Sequence, residues 1–288
     1  MSENVFENTV FTAVDLTVGY NERRREKKKE KRETRGPASA TGCENDGGTA
    51  AVVSGINIKI ERGQTVCLIG PNGSGKTTAL RTVTGQLREL GGSMTICGRP
   101  LAEMSEKERA KYISVVLTER ISPELMTCRD IVSMGRYPYT GRMGLLREED
   151  RAKVDEALAM VNASDIADRQ LTQTSDGQRQ RIMLARAICQ EAALIVLDEP
   201  TSFLDIRYKL EILTVLKRLA RERGTGVLMS VHELELARAV ADYVICFKGG
   251  SVFAEGAPDD IFNDELISEL YDLDMKSYDE CFKNVNIM

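Results

Sequence analysis

The sequence predicts an α/β domain on a mixed, largely parallel sheet, and three observations carry that reading. Short apolar runs alternate with segments of helical period along most of the chain. The runs are apolar at every position rather than at every second one, the pattern of strands covered on both faces. One run feeds into Gly70-Pro71-Asn72-Gly73-Ser74-Gly75-Lys76-Thr77, a glycine-rich turn of the form G-x-x-x-x-G-K-[ST].

In chain order, Thr65 to Ile69 is the first such strand and Lys76 to Leu87 the helix that the turn opens. Glu148 to Asn162 places Ala152, Val154, Leu158 and Val161 near one face, as a packed helix does. Leu194 to Leu197 is the next strand. Lys209 to Leu219 repeats Leu at 210, 213, 216 and 219, a second helical face. Gly226 to Val231 and Tyr243 to Phe247 complete the strands.

Residues 21–35 break this rhythm, with nine basic, four acidic and no apolar side chains. The stretch that follows, to Ala50, is rich in Gly, Ser, Thr and Ala. Together they bury too little apolar surface to offset the entropy of ordering, so 21–50 is expected to be an insertion. Its positive charge suits a solvated loop, with contact to anionic lipid or an acidic partner as the alternative.

Composition narrows the class. The 288 residues are 42% hydrophobic and 29% charged, with 39 basic against 44 acidic side chains and a net charge of −5. An acidic balance argues against a general nucleic-acid binder. The apolar run at Ala192 to Leu197 is far short of the roughly 20 residues that span a bilayer. Met1 to Asn4 leads into no apolar segment of secretory type. The 7 cysteines are widely spaced and form no Cys-x-x-Cys, so they read as small core residues in a reducing compartment.

The chemistry concentrates in three places. In the glycine-rich turn, successive backbone N–H groups converge on phosphate oxygens at a helix N-terminus. Lys76 brings a positive charge to the terminal phosphates and Thr77 a hydroxyl for Mg²⁺, with Thr78 next to it in the helix. Asp198 and Glu199 close the second strand, at the carboxyl end where ligand chemistry gathers in such sheets. Asp198 suits Mg²⁺ and Glu199 suits orienting or deprotonating an attacking water. His232, the 1 histidine in the chain, follows the third strand and is placed to donate to a γ-phosphate oxygen.

With those motifs goes Ser175-Asp176-Gly177-Gln178-Arg179-Gln180-Arg181, and the whole resembles the nucleotide-binding subunit of ABC transporters. That segment looks like the family's LSGGQ signature. Leu197-Asp198-Glu199-Pro200-Thr201-Ser202-Phe203-Leu204-Asp205 resembles Walker B running into the D-loop, and His232 matches the switch histidine. The resemblance implies a P-loop NTPase cassette over 9–272, a helical subdomain over about 90–172 and a tail at 273–288. It implies Tyr20 as the aromatic that stacks on adenine. It also implies ATP and Mg²⁺ as cofactors, and a head-to-tail dimer of two copies. One copy supplies Lys76, Thr77, Asp198, Glu199 and His232, and the other Ser175, Asp176, Gly177 and Gln178, with Asp205 in the D-loop between them.

Gly135-Arg136-Tyr137-Pro138-Tyr139, Phe203-Leu204-Asp205 and Glu269-Leu270-Tyr271 are most similar to cassettes of iron-siderophore, haem and cobalamin importers. This implies a polytopic permease partner, an extracytoplasmic substrate-binding protein, and a peripheral position on the cytoplasmic face of the cell membrane. Three departures stand out. Thr118 occupies the place of the Q-loop glutamine, where its hydroxyl can still ligate Mg²⁺. Thr174 and Asp176 replace a leucine and a glycine of the signature, and the basic insertion follows Tyr20 directly. A soluble ABC ATPase such as a cluster-assembly enzyme, an exporter cassette and a nucleotide-gated binding module are the alternatives.

Overall fold

The computed structural model describes residues 8–21, 49–117, 123, 125–141, 144–202 and 204–273. Two long strands come first, β1 (Thr9–Asn21) and β2 (Thr49–Glu61), followed by β3 (Thr65–Ile69) and α1 (Lys76–Val83). Next are β4 (Gly91–Ile96), β5 (Arg99–Pro100), α2 (Glu106–Arg109), β6 (Ile113–Val116), α3 (Cys128–Ser133) and α4 (Glu148–Met160). Then α5 (Asp176–Cys189), β7 (Leu194–Asp198), α6 (Ile206–Arg223), β8 (Gly226–Ser230), α7 (Leu234–Val240) and β9 (Tyr243–Lys248) complete the middle. β10 (Ser251–Gly256), α8 (Pro258–Ile261) and α9 (Asp264–Tyr271) end it.

The strands form one sheet in the order β5-β4-β1-β2-β10-β9-β3-β8-β7-β6, and its two ends are built differently. From β9 to β6 every pairing is parallel. All residues of β3, β7 and β8 are buried, because helices cover one face and α1 with the strands β1 and β2 covers the other. The other end, β5-β4-β1-β2, is antiparallel, and its long strands carry register shifts that bend them. One apolar cluster joins β3, β7 and β8 to α3, α4, α5 and α6. A second fills the space among β1, β2, α1 and the opposite sheet face.

Several boundaries differ from expectation. Asn21, Thr49 and Ala50 belong to the paired strands β1 and β2, not to the insertion, while residues 22–48 lie outside the described residues. The region expected as helical from about 90 begins with sheet instead. Gly91–Ile96 pairs with β1, burying Met94 and Ile96, and Ile113–Val116 pairs with β7. The buried Ser114 interrupts the apolar run of β6, which hid that strand in the sequence. α1 stops at Val83 because Gly85 turns the chain at φ +75°. α6 is longer than its leucine repeat, capped by the Asp205 side chain at one end and by Gly224 at φ +64° at the other.

The helices around the signature are tied by one buried cation. Arg136 Nε donates to Asp150 Oδ1 (2.9 Å), and its Nη1 donates to the Cys189 carbonyl (2.9 Å) and Glu191 (2.8 Å). The Tyr139 ring lies 4.3 Å from its guanidinium carbon. This joins the N-terminus of α4 to the C-terminus of α5. Among the described residues no helix is long and apolar enough to cross a membrane.

Candidate functional site: the phosphate loop and its crevice

The chain leaves β3 and must reverse into α1 within a few residues, and glycine makes the turn sterically possible. Gly70 sits at φ +139°, where a Cβ would lie 2.1 Å from the Phe247 carbonyl oxygen. At Gly75 a Cβ would meet the Val53 side chain at 2.2 Å. Between them the Ser74 N–H donates to the Pro71 carbonyl (3.2 Å), and Asn72 and Gly73 form the exposed tip. Among the described residues the buried Ser74 hydroxyl has no hydrogen-bond partner, which suits a donor to a phosphate oxygen.

Lys76 is buried at the base of the loop. Its ammonium donates to the carbonyls of Gly70 (2.7 Å) and Pro71 (3.0 Å). Burial lowers its pKa, and the charges of Glu199 and Asp198 oppose that fall. Thr77, next in α1, donates its hydroxyl to Asp198 Oδ1 (3.1 Å). Thr78 Oγ1 lies 3.4 Å from the Tyr20 hydroxyl, so Tyr20 on β1 is brought against the phosphate-loop helix.

β7 and β8 end side by side, and their last residues form the other wall. Ser230 closes β8 and is fully buried. Its hydroxyl donates to Asp198 Oδ1 (2.7 Å) and accepts from the Glu199 N–H (2.9 Å), which fixes both acids relative to the sheet. Glu199 takes φ +48°, a strained position for a residue with a side chain. Glu199 Oε1 is 2.6 Å from His232 Nε2, and Ser202 Oγ donates to Oε2 (2.9 Å). Burial works to raise the Glu199 pKa, but those hydrogen bonds and the nearby Lys76 outweigh it and hold the carboxyl below its usual range. Glu199 is therefore ionised at neutral pH and able to take a proton.

Glu233, directly after His232, accepts from Thr201 (3.1 Å) and Lys209 (2.5 Å), tying the histidine loop to α6. Sequence reasoning missed Ser230, Ser202 and Glu233. The available signal was a serine interrupting an apolar strand directly before Val231-His232.

The signature residues stand elsewhere. Ser175 caps α5: its hydroxyl accepts from the Gln178 N–H (3.3 Å), and Gln178 Oε1 accepts from the Ser175 N–H (3.0 Å). Gly177 packs on the Tyr208 ring, where a Cβ would come within 2.9 Å. Asp176 is exposed in the first turn of α5, 3.8 Å from Arg179 and at the helix end that favours anions. Its extra carboxylate thus has local cationic support. The Asp205 carboxylate accepts from the Tyr208 N–H (3.1 Å) as the cap of α6. Gln180 donates to the Pro200 carbonyl (3.2 Å), linking α5 to the turn after Glu199. Thr118, Phe203 and residues 274–288 lie outside the described residues.

The donor set suits the groups expected here. The Thr77 hydroxyl and Asp198 carboxylate offer hard oxygens from both walls of one crevice, as a small divalent cation bridging to phosphate requires. Convergent loop amides, a buried lysine and an orphaned serine hydroxyl suit a polyphosphate. A strand, phosphate loop and helix facing acidic strand ends define a P-loop nucleotide-binding domain.

The chain belongs to the ABC transporter family, whose model matches residues 53–202. It is 41% identical over 233 residues to an uncharacterized ABC transporter ATP-binding protein of Methanocaldococcus jannaschii, covering 81% of this chain and 80% of that one. It is 35% identical over 227 residues to the iron(3+)-hydroxamate import ATP-binding protein FhuC of Bacillus subtilis, covering 79% and 84%. A chain of a metal-chelate type ABC transporter in an inward-facing conformation superposes with a TM-score of 0.72 at 25% identity, covering 92% and 90%.

Proposed function

We propose that this chain is the ATP-hydrolysing subunit of an ABC importer, energising uptake of an iron-siderophore-type metal chelate through a membrane permease. The observation that carries the ATPase reading is one crevice in which Thr77 bonds Asp198 (3.1 Å) and His232 bonds Glu199 (2.6 Å), with the buried Lys76 within the field of both acids. The substrate class rests on the likeness to the hydroxamate import protein.

In this reading Lys76 leaves its carbonyl partners for the β- and γ-phosphates, and the loop amides and the Ser74 hydroxyl bind the remaining oxygens. Thr77 and Asp198 would hold Mg²⁺, which when bound would neutralise charge building on the phosphates. Glu199 accepts the proton of a water that attacks the γ-phosphorus; the bond to the β–γ bridging oxygen breaks, giving ADP and phosphate. His232 fixes the Glu199 carboxylate and donates toward the γ-phosphate. Tyr20 offers its ring to adenine.

The exposed Ser175–Gln178 corner is proposed to address the γ-phosphate of a second copy's ATP. Binding then closes a head-to-tail dimer and hydrolysis opens it. The chain is proposed to sit peripherally on the membrane, against its permease. Affinity capture from gently solubilised native membranes tests the importer role. Recovery of a many-helix permease is expected; recovery of soluble partners alone, while other permease complexes survive, contradicts it.

A further inference from the structure

The Gly70 N–H is the first amide past the end of β3, and Gly70 is buried. A buried amide there needs a partner. It finds one 201 residues further along the chain: the Gly70 N–H donates to the Tyr271 hydroxyl at 3.2 Å. Tyr271 is the last residue of α9, beside the fully buried Leu270.

The end of α9 is itself held to the sheet. Lys248 closes β9 and donates to the Glu269 carbonyl and to Asp272 Oδ1 (2.7 Å), a cation placed at a helix C-terminus. β9 is the neighbour of β3, with Ile69 opposite Cys246. Phe247, just before Lys248, places the carbonyl that forbids a side chain at Gly70. One unit, β9 with α9, therefore touches Gly70 twice, once sterically and once by hydrogen bond. Burial raises the Tyr271 pKa, so the hydroxyl keeps its proton at neutral pH.

On its other side Gly70 is held by Lys76, whose ammonium donates to the Gly70 carbonyl. A lysine that moves to a phosphate lets go of that carbonyl. The hydroxyl of Tyr271 then keeps the Gly70 peptide in place.

We propose that Tyr271 is a positioning residue of the phosphate loop, setting its geometry for ATP from the C-terminal helix. This rests on the reading of residues 70–77 as the ATP phosphate loop. The competing account is that Tyr271 only packs its half-buried ring against the core. Tyr271→Phe separates the two, because it keeps the ring and removes the hydroxyl.

The experiment compares the full-length wild type, Tyr271→Phe and Lys76→Ala for Mg·ATP affinity, steady-state hydrolysis and amide exchange. Tyr271→Phe is expected to raise the Kd and KM for ATP severalfold, with about fivefold as the ceiling one neutral hydrogen bond sets, because the bond matters more once Lys76 has released Gly70. Its kcat is expected to stay at the wild-type value, and the Gly70 amide to exchange faster while the β3 amides keep their protection. Wild-type Kd and KM in Tyr271→Phe overturn the proposal whatever the Tm does. Undiminished ATP affinity in Lys76→Ala overturns instead the reading of the loop on which it rests.

Discussion

The crevice around Asp198 and the corner around Ser175 are both rich in polar groups, yet they are built to opposite ends. In the crevice Thr77 from α1, Asp198 and Glu199 at the end of β7, Ser230 from β8 and His232 just after it pair across the fold, with the buried Lys76 in the loop beside them. At the corner Ser175 and Gln178 pair with each other inside one helix turn, and Asp176 faces solvent. The first is a site assembled by folding. The second is a finished helix cap presented outward, which is what a surface meant for another molecule's phosphate requires. The contrast matches the proposed head-to-tail dimer, in which the crevice of one copy would be completed by the corner of another.

The largest expected effect comes from removing the charge at the base of the loop. Lys76→Ala is expected to weaken Mg·ATP binding by about 100-fold or more, read by calorimetry. Glu199→Gln is expected to lower kcat by about 10²–10⁴ while ATP affinity stays within a few-fold of wild type. Equal slow hydrolysis by both proteins would remove Glu199 from the chemistry.

The helix that carries the corner is tested from its far end. Arg136→Met leaves Asp150 buried without its cation and is expected to cost about 3 kcal/mol in denaturant unfolding. Nucleotide affinity should not follow, because Arg136 holds the C-terminal end of α5 and not the loop. The smallest effect concerns pH. Despite burial, Glu199 is held below its ordinary value by its hydrogen bonds to His232 and Ser202, so hydrolysis should persist as pH falls and be lost only below the ordinary glutamate range, as the carboxylate protonates. Ser202→Ala removes one of the bonds that stabilise the charged form and should move that acid limb upward, seen in a pH–kcat profile.

The crevice was legible in the sequence because its chemistry lies at the ends of continuous apolar runs. Thr65 to Ile69 and Leu194 to Leu197 announce buried parallel strands, and the residues after them fall at the carboxyl edge. The antiparallel end was not legible. Gly91–Ile96 has neither a helical nor a clean alternating pattern, since only Met94 and Ile96 point inward. Its partner β1 is set by tertiary pairing, which no local rule specifies. Ser230 was missed for a related reason: a buried serine in a strand gains meaning only when two acids from the neighbouring strand arrive beside it. Tyr271 was legible as part of Glu269-Leu270-Tyr271, but its contact with Gly70 exists only in the folded chain.

The central claim is that the two regions complete each other across two copies, and mixing tests it directly. Lys76→Ala lacks a working loop but keeps the Ser175 corner; Ser175→Arg keeps the loop and blocks the corner. Each alone should be inactive in hydrolysis, with Ser175→Arg still binding ATP. Mixed in equal amounts, they should regain a fraction of wild-type ATPase, because a mixed dimer contains one intact composite site. A mixture that stays as inactive as its components, with both proteins folded and Ser175→Arg loaded with ATP, would contradict the account.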